Sequence, residues 1–289
     1  MDMARVVAAK GGMGLMLRAG VLVNGLHVGR HRSTRRGAGT DFHDFRPYSP
    51  GDAVGNVDWK VYGRTDRHYV RRYQRRSELR VHLVVDASAS MGFADHATVS
   101  TLPTKLAYAA RLAAAAGMLA VRQADRVALS LVDRQVRAHL PMGGTWSHLQ
   151  RVVATLEQAA PGEGVGDLAA SLREAHRLSP RRGLVVVLSD LLDELARLRH
   201  ARSGVVLWQV LSPSELELRP AEPRVELVDP ETGERVPTDA ALIRARYLDL
   251  LQAHIARVRR AAGSRGVRHT LLRTDEPELT ALRRVLAAA

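Results

Sequence analysis

The sequence contains no cysteine, which excludes a disulfide framework, a thiolate metal site and a cysteine nucleophile, and suits a reducing compartment. Lysine is nearly missing too, occurring only at Lys10, Lys60 and Lys105. Arginine therefore supplies almost all the positive charge, a preference that a genome-wide composition bias explains without any ligand. Aromatic residues make up only 4% of the 289 positions. Long apolar runs are also missing: the longest alanine-rich stretch, Leu106 to Val121, is interrupted by Arg111 and is too short to span a bilayer. At the start of the chain, Asp2, Lys10, Gly11, Gly12 and Arg18 break up any secretory h-region. These absences lead to the expectation of a soluble, cytoplasmic protein.

Positive charge, by contrast, is in excess. Lys and Arg number 43 against 30 Asp and Glu, a formal net charge of +13, which makes nucleic acid, an anionic membrane surface or an acidic protein the partners to consider. The excess is uneven. Up to Arg80, 16 basic residues face 7 acidic ones, whereas 27 face 23 in the remainder. A basic, irregular N-terminal arm is therefore expected over residues 1–79, followed by a nearly balanced body over residues 80–289.

Periodicity in the body alternates between the two regular structures. Leu79–Val85, Arg126–Val132, Gln135–Leu140, Gly183–Leu188, Gly204–Leu211 and Val267–Leu272 read as strands, the most apolar being Leu184-Val185-Val186-Val187-Leu188. Helical spacing covers Lys105–Gln123, which Pro103-Thr104 opens, and also Trp146–Gln158, Asp167–Leu178, Asp193–Arg202, Asp239–Ala262 and the segment from Pro277. Asp229-Pro230-Glu231-Thr232-Gly233 separates two short β-prone pieces, predicting a hairpin insertion near 225–236. The alternation predicts an α/β layered fold with a mostly parallel sheet flanked by helices and ligand sites at the carboxyl ends of its strands.

Two strand ends carry candidate chemistry. Asp86-Ala87-Ser88-Ala89-Ser90 directly follows the first strand of the body, and Asp190 closes the most apolar one. A loop leaving a central strand can turn one carboxylate and two hydroxyls toward one point, and a neighbouring strand end adds the second carboxylate. Asp86, Ser88, Ser90 and Asp190 would then form hard oxygen ligands for Mg²⁺ or another divalent cation. With so few charged ligands the ion would stay electrophilic enough to accept an external carboxylate. The alternative is that both aspartates cap the following segments while the serines turn the chain.

These residues also carry a resemblance. Asp86-x-Ser88-x-Ser90 followed by Met91-Gly92, with Asp190 after Leu184–Ser189, resembles the metal-ion-dependent adhesion site of a von Willebrand factor A-like domain. The front adds Gly29-Arg30-His31-Arg32-Ser33, Gly37–Phe42, Arg46–Asp52, Asp58-Trp59-Lys60 and Arg64-Thr65, which resemble the domain-of-unknown-function-58 family. The resemblance implies a von Willebrand A-like, Rossmann-like fold. It also implies a role beside a MoxR-type AAA+ ATPase, as an adaptor in assembling or remodelling another complex, with an acidic protein ligand and no catalytic activity. One departure bears on the metal: the helix-opening turn that usually offers a threonine reads Gly164-Val165-Gly166-Asp167-Leu168, with Gly166 in its place. Thr145, in Gly143-Gly144-Thr145, opens the preceding helix and only mimics the motif.

The arginines of residues 30–36 and 64–80, interleaved with Tyr62, Tyr69 and Tyr73, form the pattern of a backbone-tracking nucleic-acid surface, which stands as the alternative function. His43, Asp52, Asp58 and Lys60 contain no nucleophile–base pair, so an enzyme is not expected. Asp58 is expected to pair with an arginine and Trp59 to pack. Gly11-Gly12-Met13-Gly14 lacks the Gly-Lys-Ser/Thr of a phosphate loop.

Overall fold

A computed structural model describes residues 14–26, 36–52, 55, 57–74, 78–95, 102–162, 168–178, 183–190, 204–218 and 224–287. The chain divides into two compact units, Val28–Glu78 and the combination of Met1–His27 with Leu79–Ala289.

The smaller unit is more regular than its composition predicts. Strands β1 (Arg36–Pro47) and β2 (Tyr69–Gln74) pair antiparallel, and helix α2 (Trp59–Thr65) lies between them in sequence. The Asp58 carboxylate caps α2 by accepting from the amides of Lys60 and Val61. Asp52 closes its turn by accepting from the Ser49 amide and pairing with Arg46. Trp59 is 58% exposed, edge-on to the Tyr62 and His68 rings. The candidate segments at residues 29–33 and 30–35 lie outside the described residues, as do the side chains of residues 36–44 and 71–77.

The larger unit is built on a six-stranded sheet. Its strands are β3 (Arg80–Asp86), β4 (Arg126–Val132), β5 (Val136–Gly143), β6 (Leu184–Ser189), β7 (Gly204–Leu211) and β10 (Arg268–Arg273), in the order β10-β7-β6-β3-β4-β5. All neighbours are parallel except β5, which returns antiparallel to β4. The strands are apolar on both faces because both faces are covered, as parallel crossovers require. Val81, Leu83 and Val85 point into the larger core layer, and Val84 points into the opposite one. The larger layer contains α3 (Lys105–Arg122), α4 (Trp146–Glu157), α8 (Glu278–Ala287) and α1 (Leu15–Asn24). The other contains Ala175 of α5 (Leu168–Arg177) with Val258 and Ala262 of α7 (Ala240–Gly263).

Helix α1 corrects the expectation that residues 1–79 form one segment. Leu15, Ala19 and Val23 recur every four residues on one face and are buried in the core of the larger unit. Glycines around and within it weaken its intrinsic propensity, so packing supplies its stability.

Between β7 and β10 come the short helix α6 (Pro213–Glu217) and an antiparallel hairpin of β8 (Arg224–Val228) and β9 (Arg235–Asp239). The helix expected at Asp193–Arg202 lies outside the described residues. Among the described residues no helix is long and apolar enough to cross a membrane.

Candidate functional site at the carboxyl edge of the sheet

From β3 the chain proceeds to β4 and β5 on one side, and β6, β7 and β10 lie on the other. Strand order therefore reverses between β3 and β6, and the carboxyl ends at such a reversal are the usual ligand position in an open α/β sheet. Asp86 and Asp190 lie at these ends.

Register fixes their partners. Val85 stands opposite Leu188, so Asp86 meets Ser189, and Asp190 falls one residue past the strand. Asp86 is fully buried. One of its oxygens accepts from the Ser88 amide at 2.9 Å, and the other accepts from the Ser189 hydroxyl at 2.5 Å. The chain then turns through a 3₁₀ segment, Ala89–Gly92. There the Ser88 and Ser90 hydroxyls lie 3.1 Å apart. Pro161-Gly162 forms one wall of the turn. The Gly162 amide donates to the Ala87 carbonyl at 2.6 Å, and a Cβ at Gly162 would meet an Asp133 carboxylate oxygen at 2.6 Å. Of the turn Gly164–Leu168, only Leu168, which begins α5, is described, so Gly166 and Asp167 lie outside the described residues. Thr145 caps α4 by accepting from the His148 amide at 3.2 Å. Gly143 beside it makes room for the His148 ring, which a Cβ would approach to 2.4 Å.

Lys105 is the residue that the sequence reading passed over. It occupies the first turn of α3 at 1% exposure, where helix polarity opposes a cation. Two carboxylates override that preference: its ammonium bonds Asp190 at 2.9 Å and Glu215 at 2.6 Å. Burial by itself would lower the lysine pKa, but the two anions hold it above its ordinary value. The Phe93 ring lies 5.9 Å from the ammonium. Glu215 uses its other oxygen to complete a capping box on α6, accepting from the Ser212 amide at 2.7 Å while the Ser212 hydroxyl accepts from the Glu215 amide. The rarity of lysine was the available signal. One of three lysines in the chain opens an alanine-rich helix, where a surface role would have suited the abundant arginine.

The site has more negative charge than positive. The Lys105 ammonium bonds two carboxylates, Asp190 and Glu215, and the Asp86 carboxyl lies close enough to Asp190 to feel its charge. Burial, followed by the neighbouring Asp190 charge, raises the Asp86 carboxyl to about 7 against the pull of its hydrogen bonds. A cation at Asp86 would relieve that deficit. Its carboxylate with the Ser88 and Ser90 hydroxyls is a donor set of the hard-oxygen kind that suits a divalent ion. Among the described residues no three carboxylate or imidazole groups converge as a metal cluster, so such an ion would depend on the hydroxyls.

Comparison with known proteins agrees with the spaced motifs. Uncharacterized proteins of Mycobacterium bovis and Mycobacterium tuberculosis are 33% identical over 276 residues, covering 92% of this chain and 84% of each relative. The chain is also similar to the crystal structure of the conserved hypothetical protein BatB from Bacteroides thetaiotaomicron. That similarity has 13% identity and a TM-score of 0.43, over 73% of this chain and 98% of that one. Residues 44–257 match the model of the protein family of unknown function DUF58, and the chain belongs to that family.

Proposed function

We propose that the protein is a non-enzymatic interaction module of von Willebrand A-like type, and that the corner at the carboxyl ends of β3 and β6 is its metal-ion-dependent adhesion site. Asp86, Ser88 and Ser90 would hold Mg²⁺ or a similar cation, with Asp190 at the adjoining strand end. When bound, the ion supplies an electrophilic position for a carboxylate from an acidic protein ligand. In this reading Lys105 sets the behaviour of Asp190: it neutralises that carboxylate and fixes its position. The chain thereby leaves one carboxyl without a cationic partner, Asp86, for the ion. The partner we propose is a MoxR-type AAA+ ATPase, with this chain acting as an adaptor in assembling or remodelling another complex.

The observation that carries the reading is the buried carboxylate of Asp86. It sits at a strand-order reversal beside two hydroxyls and lacks a bonded cation of its own among the described contacts. Thermal unfolding of wild type and Asp86→Ala across a Mg²⁺ titration tests it. At 100 times the dissociation constant, binding should stabilise the wild type by about 2.7 kcal/mol and leave the variant unchanged. Identical responses would remove the metal from the function. Co-purification with a MoxR-type ATPase, lost in Asp86→Ala, tests the partner.

A further inference from the structure

We infer that Glu231 is a built-in ligand of this corner, a carboxylate supplied in cis that a partner's carboxylate must displace. The inference rests on the proposed adhesion-type site and specifies where the acidic ligand binds and what competes with it. Glu231 lies at the tip of the β8–β9 hairpin, and its carboxylate accepts from the Ser90 amide at 3.1 Å across 141 residues of sequence. That amide belongs to the same turn as the Ser88 and Ser90 hydroxyls. A carboxylate held there is anchored on the same turn as the donors proposed to carry the cation.

Hairpin geometry supports a presenting role. From Glu226 to Pro237 every residue is solvent-exposed except Glu231. The turn is organised locally. Asp229 accepts from the Glu231 amide at 2.9 Å and from the Thr232 hydroxyl at 2.8 Å, and Gly233 takes a φ of +74°, which closes the loop. The hydrogen bonds to the turn hold the Asp229 carboxyl below the ordinary aspartate range. The hairpin is thus shaped by its own residues, and Glu231 reaches back to the body. A two-stranded hairpin with both faces wet is only marginally stable by itself, so its attachment is cheap to undo.

Charge makes the contact conditional. Glu231 approaches a corner where Asp86, Asp190 and Glu215 already outnumber Lys105, so repulsion opposes the latch. The proposed cation would reverse that balance. A partner acidic turn of similar shape competes for the same amide and the same ion. Against a tethered competitor, whose effective concentration is of millimolar order, a free ligand binds the wild type weakly.

The test uses the full chain and, as probe, an acetylated and amidated peptide of the chain's own turn, Val-Asp-Pro-Glu-Thr-Gly, with saturating Mg²⁺. Removing the tethered competitor in Glu231→Ala should tighten peptide binding at least tenfold over wild type and speed amide hydrogen exchange in Ala89–Gly92. A peptide with glutamine in place of its glutamate should not bind. Equal affinity for wild type and Glu231→Ala overturns the inference. So does faster exchange with no peptide binding, which would make Glu231 a structural clip only. The parent reading fails separately: if Mg²⁺ affects wild type and Asp86→Ala alike, the metal site is wrong whatever Glu231 does. If Mg²⁺ binding depends on Asp86 and Glu231→Ala changes nothing, only the latch is wrong.

Discussion

Lys105 and Asp190 are a buried pair whose value depends on both partners remaining. Each ion has been moved out of water, and their attraction together with the bond to Glu215 offsets that cost. Removing one charge leaves the other uncompensated, which typically costs about 3–5 kcal/mol. Lys105→Met should therefore lower the unfolding free energy measured in urea by an amount in that range, and Lys105→Met with Asp190→Asn should recover most of the loss. A single variant within about 1 kcal/mol of wild type would show that water reaches the pair. At this scale the strand-end positions of Asp86 and Asp190 were legible in the sequence, because apolar runs end at both aspartates. Lys105, Glu215 and Glu231 were not. Lys105 is 85 positions from Asp190 and 110 from Glu215, and no local pattern encodes such a meeting.

Adjacent strands carry a polar chain toward the same corner. His269 on β10 donates from Nε2 to the Gln209 side-chain oxygen on β7 at 2.9 Å, and the Gln209 amide donates to the Asp190 carbonyl at 2.9 Å. This assigns the proton to Nε2, and Nδ1 is buried without a partner. Burial, then Arg259, lowers the ring's pKa to about 4. The folded state thus binds the proton less readily than the unfolded chain, whose histidines titrate near 6.5. The contribution is complete above pH 6.5 and is lost as pH falls toward 4. With the ring partly solvated, screening reduces the effect to about 1 kcal/mol between pH 7 and pH 5. The loss of unfolding free energy from pH 7 to pH 5, measured in urea, should be larger for wild type than for His269→Asn by that amount; equal losses would refute the linkage.

The boundaries of β4, β7 and α3 were readable to within a residue or so, because composition changes sharply there: Thr104 caps α3 by accepting from the Ala107 amide. Helix α1 was not readable. Its apolar face is short, and glycines around it obscure the pattern until α3 covers it.

For the whole molecule, α1 shows that the larger unit is completed by a segment from before the smaller one in sequence. Besides its buried face, the Leu15 amide donates to Glu157 at 2.5 Å and Asn24 accepts from Arg122 at 2.6 Å. Deleting residues 1–26 re-exposes Leu15's and Val23's core contacts, a loss of about 4 kcal/mol by burial of that area. At this chain length that corresponds to a fall in melting temperature on the order of 10 °C. An unchanged melting temperature would make α1 an ornament of the fold. The charge of +13 also takes a different form. Arg46 pairs with Asp52, Arg111 with Glu278, and Arg273 with Glu217 and Asp275, so some arginines are engaged within the protein while the net excess of +13 is left to the remaining ones.

By itself the sequence determined the alternation of strands and helices, the two aspartates at strand ends and the hairpin turn. Each of these is a local matter of period, breakers and capping. Only the tertiary structure decided that β6 joins β3 in parallel, that a scarce lysine is buried between Asp190 and Glu215, and that Glu231 reaches Ser90. Those depend on strand order and register, and burial then makes unpaired charge so costly that distant groups must meet.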